Sequence, residues 1–160
     1  MSDTETITGI KVPIALTYTF TAGRTGAKFL RHLKNGRIVG QRCPSCSNVY
    51  VPPHGCCARC GVMTEEEVEV SGKGTIRYFT IVRIPIPGSP VVPPFVVAQI
   101  LLDGSDIPTM HLIGEVPIEE VRLGMRVEPA WKKREEWRYS FENILYFKPT
   151  GEPDVDIVEV

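Results

Sequence analysis

Cys43, Cys46, Cys57 and Cys60 constrain this chain more than any other residues. They form two C-x2-C pairs separated by ten residues. A C-x2-C turn sets two thiolates about 4 Å apart on one side of a tight loop, and two facing turns make a tetrahedral sulfur cage suited to zinc. The first turn reads Arg42-Cys43-Pro44-Ser45-Cys46-Ser47 and the second Cys57-Ala58-Arg59-Cys60-Gly61. A glycine after the second cysteine lets the backbone take a positive φ and aim amides at the sulfur. Gly61 fits that role and Ser47 fits it less well. Between the turns, Asn48-Val49-Tyr50-Val51 alternates like a short strand, and Pro52-Pro53 turns the chain back. The expected layout is a zinc ribbon, two knuckles held by a short hairpin.

A fifth cysteine, Cys56, adjoins Cys57 and stands at C-x3-C spacing from Cys60, so it competes as a ligand. Cys57 is preferred because it repeats the spacing of the first knuckle, which leaves Cys56 as a spare, partly buried residue. The N-terminus is acidic and polar, without the apolar core of a secretory signal. A cytoplasmic chain is therefore expected, in which an odd cysteine count favours thiolates over disulfides. Iron is the alternative occupant and would make a small redox protein. Four protein thiolates leave no open coordination position, so the metal staples structure and does not activate water.

The remaining chain reads as mainly β. At 160 residues it can bury one modest core together with a metal-stapled module. No apolar run is long enough for a membrane span. Thr25 to Asn35 reads as a helix, with Phe29, Leu30 and Leu33 as an apolar stripe and Asn35-Gly36 as a stop. A short lone helix needs a surface to cover, so docking is its expected role. Strands are expected at 66–71, 74–84, 95–102, 109–114, 126–131 and 139–148, where the periodicity changes to two. Short strands with glycine-containing turns predict a small closed barrel of the OB type. Pro85, Pro87, Pro90, Pro93 and Pro94 make the intervening stretch a stiff, projecting loop. The expected divisions are an N-terminal extended segment and docking helix (1–39), a ribbon (40–64), a barrel (65–150) and a loose acidic tail (151–160).

Charge is distributed unevenly. From Thr21 to Cys60 there are seven basic residues (Arg24, Lys28, Arg31, Lys34, Arg37, Arg42, Arg59) and no acidic ones, and Glu65, Glu66, Glu67 and Glu69 follow at once. The stretch reads either as a solvated face offsetting an anionic metal–thiolate centre or as an anion-binding surface. Trp131 and Trp137 flank Lys132, Lys133 and Arg134, an arrangement that can stack on nucleobases or pack against the barrel end. A nucleic-acid-binding ribbon and barrel is thus an alternative, opposed by the net charge of −1 and the acidic tail. His32, His54 and His111 show no nucleophile–base surroundings, and no acid/base carboxylate pair stands out.

Several segments, taken in order, resemble the zinc-ribbon and OB-fold proteins associated with acyl-CoA metabolism. They are Leu33-Lys34-Asn35-Gly36-Arg37 leading into Cys43, Pro52-Pro53, Gly72-Lys73-Gly74-Thr75, Pro93-Pro94-Phe95-Val96-Val97-Ala98, Leu101-Leu102-Asp103-Gly104, Gly124-Met125-Arg126-Val127 and Phe147-Lys148-Pro149. Ser47 and Ala58 depart from the family's usual glycine and proline. The resemblance implies an N-terminal helix, a rubredoxin-like ribbon and a five-stranded barrel. It also implies a non-catalytic partner of a thiolase-like or steroid-aldolase-like subunit, in a heterotetramer that cleaves a bulky aromatic or steroidal acyl-CoA. Tyr18-Thr19-Phe20-Thr21-Ala22-Gly23-Arg24 is most similar to members paired with degradative enzymes. Structural zinc and a shared CoA thioester follow as cofactor and substrate. Contacts to CoA, acyl group or partner are expected from Arg24, Lys28, Phe29, Arg31, Leu33, Arg37, Pro93, Pro94 and Phe95.

Overall fold

The computed structural model describes residues 18–85 and 87–157 together with Gly9, Val12 and Leu16. Most of the N-terminal segment expected to be extended, and the last three residues of the tail, lie outside the described residues. Among the described residues the order is one α-helix, three ribbon strands and five barrel strands, with three short 3-10 turns between barrel strands.

Helix α1 runs Gly23–Lys34, two residues earlier at its start than the apolar stripe predicts. Its end follows the sequence closely. Gly36 takes φ 72°, its amide donates to Leu33 O at 3.0 Å, and the Arg37 amide donates to His32 O at 3.0 Å. This paired arrangement satisfies the last carbonyls and needs a left-handed residue, which glycine adopts without steric cost. A side chain at Gly36 would also collide with the Trp137 ring, 2.7 Å from an added Cβ. Phe29 and Leu33 are buried on the inner face of α1, where the Phe29 ring meets Phe141 at 5.8 Å.

The ribbon is a three-stranded antiparallel sheet in the order β2-β1-β3. Its centre is β1, Ile38–Arg42, which the sequence reading did not single out as a strand. Its first four residues are all buried, so no alternation marks it. Strand β2 (Val49–Tyr50) pairs with β1 through Gln41 opposite Tyr50 and Arg42 opposite Val49. The expected hairpin between the knuckles is therefore replaced by pairing across the first knuckle. Gly40 permits this close approach, because an added Cβ would lie 2.6 Å from Tyr50 O. Strand β3 (Glu66–Val70) covers the other edge of β1, from Ile38 opposite Val70 to Arg42 opposite Glu66.

Strands β4 (Gly74–Val82), β5 (Phe95–Leu102), β6 (Thr109–Ile113), β7 (Arg126–Trp131) and β8 (Ile144–Pro149) close a barrel in the order β4-β5-β6-β8-β7. Only the β6–β8 contact is parallel. Strand β5 alternates strictly between half-buried and buried residues, so Val96, Ala98, Ile100 and Leu102 point inward. They meet Ile76, Val127, Ile144 and Phe147 in one core that continues to Phe29, Leu33, Ile38 and Val70. Helix, ribbon and barrel thus share a single apolar interior. The last strand begins at Ile144, not at 139, because a 3-10 turn at Phe141–Asn143 precedes it. Ser140 Oγ accepts the Glu142 amide at 3.1 Å and caps that turn. Buried Asn143 donates to Leu33 O at 3.3 Å and to Arg138 O at 2.7 Å, joining this turn to α1.

The segment after the barrel is held rather than loose over Glu152 to Val155. The Val155 amide donates to Gly124 O at 2.9 Å. Glu152 pairs with Lys73 and Arg126, and Asp154 with Arg122. Lys73, and then Arg126, hold the Glu152 carboxyl below the usual carboxylate range, and Arg126 does the same to Asp103.

Candidate functional site

The two knuckles are near copies of one another. Ser47 takes φ 63° and Gly61 φ 69°. The Ser47 amide donates to Cys43 O at 3.0 Å and the Gly61 amide to Cys57 O at 2.9 Å. The Cys43 amide returns to Asn48 O and the Cys57 amide to Val62 O, both at 2.8 Å. Ser47, the poorer fit by sequence, therefore adopts the same left-handed turn as glycine. Amide-to-sulfur bonds follow from this geometry: Cys46 N to Cys43 Sγ at 3.5 Å and Cys60 N to Cys57 Sγ at 3.3 Å. Such donors favour the thiolate over the thiol.

The Sγ atoms of Cys43, Cys46, Cys57 and Cys60 all lie within 4.8 Å of one another. Cys46 Sγ and Cys57 Sγ are 3.7 Å apart. A tetrahedral centre with metal–sulfur bonds of about 2.3 Å needs sulfurs about 3.8 Å apart, so the set fits zinc. Cys43 and Cys57 are buried, and Cys46 and Cys60 half-buried. Cys56 is exposed, not partly buried, and lies outside the sulfur cluster. Its backbone instead forms an isolated bridge with Met63.

Electrostatics explain why the cluster requires a cation. The Tyr50 hydroxyl lies 3.2 Å from Cys57 Sγ. That hydrogen bond, opposed by burial and aided by nearby amides, lowers the Cys57 pKa to about 6. Cys60 is pushed up to about 12 by its hydrogen bond with Cys46 and by burial. Four thiolates at this separation repel one another, and a divalent ion relieves the repulsion while fixing all four. Tyr50 is 3 % exposed, and its own pKa is raised chiefly by the bond to Cys57. It stays a phenol and donates to the sulfur. Sequence reasoning gave Tyr50 only a strand position, because its reach to Cys57 emerges from the β1–β2 pairing. Tyr50→Phe should keep the fold and weaken zinc binding about 10-fold, the low end for loss of an outer-shell partner. Competition with a chromophoric chelator measures this.

The centre is also clamped to the barrel. Asp106, in the β5–β6 connection, accepts the Val49 amide at 2.7 Å and returns its own amide to Val49 O at 3.0 Å. Ile107 packs against Cys43, Tyr50 and Cys57.

The other predicted contact residues separate into four groups. Phe29 and Leu33 are 5 % and 0 % exposed. They belong to the chain's own core and present no surface to a ligand or partner, which corrects the docking role expected for that stripe. Arg37 is engaged with Glu69 at 2.7 Å, Arg42 with Glu66 at 3.2 Å, and Lys28 with Glu67 at 3.6 Å. His32 Nε2 also reaches Glu67 at 3.1 Å. The acidic run on β3 is thus the partner of the basic stretch on α1 and β1. Arg24 and Arg31 are exposed without an ion pair among the described residues. With Lys28 they line an open groove of about 630 Å³ beside α1. Pro94 is exposed, and Pro93 and Phe95 are half-buried at the end of the proline loop.

The tryptophan pair packs rather than forming a stacking platform. Trp137 Nε1 donates to Lys132 O at 2.8 Å, its ring lies against Gly36, and it meets Trp131 at 5.4 Å. His111 sits between Phe141 and Phe147, with burial lowering its pKa. No helix among the described residues is long and apolar enough to cross a membrane.

Comparison with known proteins adds what geometry alone does not supply. Residues 31–63 match the rubredoxin-like zinc ribbon domain of ChsH2, and residues 67–132 match the ChsH2 C-terminal OB-fold domain. A DUF35 domain-containing scaffold protein of Methanocaldococcus jannaschii is 32 % identical over 66 % of this chain and 76 % of its own length. A probable enoyl-CoA hydratase alpha subunit of Thermomonospora curvata is 32 % identical over 68 % of this chain, which spans only 33 % of that longer protein. Among solved structures, a chain of the Ltp2-ChsH2(DUF35) aldolase superposes with a TM-score of 0.61 at 26 % identity, over 79 % of this chain and 95 % of that one. Matched in both domains and along most of its length, the chain belongs to the ChsH2-type DUF35 family of zinc-ribbon and OB-fold proteins.

Proposed function

We propose that this chain is the zinc-ribbon and OB-fold subunit of a heteromeric thiolase-fold enzyme. The enzyme cleaves a bulky aromatic or steroidal acyl-CoA by a retro-aldol or thiolytic route. The observation that carries the reading is the likeness to a chain of the Ltp2-ChsH2(DUF35) aldolase over nearly all of that chain. The enoyl-CoA hydratase subunit relative supports a CoA thioester as the shared substrate. The closed four-thiolate centre has no position for substrate, so its work is structural. The partner supplies the nucleophile and base, and this chain completes its active site within a heterotetramer.

Arg24, Lys28 and Arg31 are the groups on α1 suited to CoA phosphates. Arg37 contributes less, being committed to Glu69. Pro93, Pro94 and Phe95 lie where the proline loop meets the barrel and are offered to the partner or acyl group. An oligonucleotide-binding reading has less support, because the outer faces of β5 and β6 carry Val97, Gln99, Met110 and Leu112 and no cation to neutralise phosphates. Co-expression with a thiolase-fold subunit of the same organism should give a complex that survives size-exclusion chromatography. A chain that elutes alone with each such subunit would reject the proposal.

A further inference from the structure

One wall of the barrel differs from the rest. On the β7–β8 wall, Glu128 stands opposite Lys148, and Lys148 lies 3.6 Å from Glu115. The end beside α1 is filled by Phe141, Trp131 and Trp137. Among the described residues, the β4–β5–β6 wall has neither paired charges nor a covering element. Its register places Tyr78 opposite Gln99 and Gln99 opposite Met110. The next row is Thr80, Val97 and Leu112. Directly paired residues share a face, and the inward positions of β5 are Val96, Ala98 and Ile100, so both rows point outward.

None of these six side chains is charged at neutral pH. Tyr78 is 66 % and Met110 62 % exposed, and they border an apolar cleft of about 230 Å³. The wall continues into the proline loop, where Ile84 and Val92 are 78 % and 81 % exposed. From Tyr78 to Leu102 the only charged residue is Arg83, in a chain that is 23 % charged overall. An antiparallel sheet facing water normally alternates apolar-in and polar-out. The outward rows of this wall carry no charge, and Met110, Val97 and Leu112 stand among Tyr78, Thr80 and Gln99 where charged side chains are usual, the pattern of a surface that another molecule covers.

The chemistry of the wall selects the occupant. Arg77, half-buried at the β4 bulge, and Arg83, at the start of the proline loop, lie outside the two paired rows, so a charged protein surface laid on those rows would be desolvated without a counter-charge. We infer that the β4–β5–β6 wall and the adjoining proline loop form the docking surface for the partner enzyme subunit, against a patch on that subunit that is itself apolar and uncharged. This inference rests on the reading that the chain serves an enzyme subunit, and it places the contact on the barrel rather than on the ribbon or α1.

Binding of the purified thiolase-fold subunit to wild-type chain, Met110→Glu, Tyr78→Glu and the double variant tests it. Both side chains are well exposed, so circular dichroism and zinc content should match wild type. Each substitution should weaken binding about 10-fold, the scale of an anchor residue worth about 1.4 kcal/mol. Leu145→Glu, on β8 and 42 % exposed, should bind as wild type does. Undiminished binding by the double variant would overturn the inference while leaving the subunit reading intact. An equal loss with Leu145→Glu would overturn it too, because the effect would not be specific to the wall. A wild-type homodimer that Met110→Glu converts to monomer would assign the wall to a second copy. A wild-type chain that binds no thiolase-fold subunit would remove both the inference and the reading beneath it.

Discussion

Cys43→Ser should release the metal and unfold the ribbon while the barrel strands persist. Cys43 is 0 % exposed, and its Sγ accepts the amides of Ser45 and Cys46. Structural zinc in small modules contributes about 10–16 kcal/mol of apparent binding free energy at neutral pH, more than a module of this size can replace by packing. Metal analysis should fall from one zinc per chain to near none, and limited proteolysis should cut between Arg42 and Thr64. Partner assembly should weaken with it, because Asp106 and Ile107 hold the ribbon against the β5–β6 connection. The partner's own chemical groups would be untouched. Retained zinc and an intact complex would mean either that the cage is dispensable or that Cys56 takes the vacant position. The exposure of Cys56 argues against the second outcome.

Phe29→Ala should cost about 3–5 kcal/mol, the usual range for deleting a buried phenylalanine side chain. The ring seals α1 onto Phe141 and the shared core, so thermal or denaturant unfolding should show the loss directly. Arg31→Ala, on the exposed side of the same helix, should change stability by no more than about 0.5 kcal/mol. The contrast distinguishes a core residue from a contact residue. If Phe29→Ala were as stable as wild type and reduced only partner or CoA binding, the placement of α1 on the core would be wrong.

That contrast also shows where sequence reading reached its limit. The apolar stripe of Phe29 and Leu33 was legible, and so was the glycine stop, because both follow from helix geometry. What covers the stripe was not legible: Phe141 lies more than a hundred residues away, in a turn read as part of a strand. Strand β1 was hidden for a related reason. Its first four residues are buried on both faces of the sheet, so no alternation appears, and Gly40 within it reads as a breaker. Without β1, the glutamates of β3 read as a change of charge along the chain rather than as partners across a ladder. The cysteine spacing carried the ligand set, since two knuckles are local structures. The Tyr50 hydroxyl on Cys57 needed the pairing of β2 with β1 and was not available from spacing. The barrel was anticipated from turns and period-two segments, whereas its uncharged outer wall emerges only when register aligns Tyr78, Gln99 and Met110.

The central claim is that this chain is a metal-stapled subunit whose reaction takes place on another polypeptide. The most direct measurement is acyl-CoA carbon–carbon cleavage by the purified thiolase-fold subunit alone, by this chain alone, and by the two together. The account predicts cleavage only in the mixture, in proportion to the complex formed. Full activity of the partner alone, or any turnover by this chain alone, would contradict it.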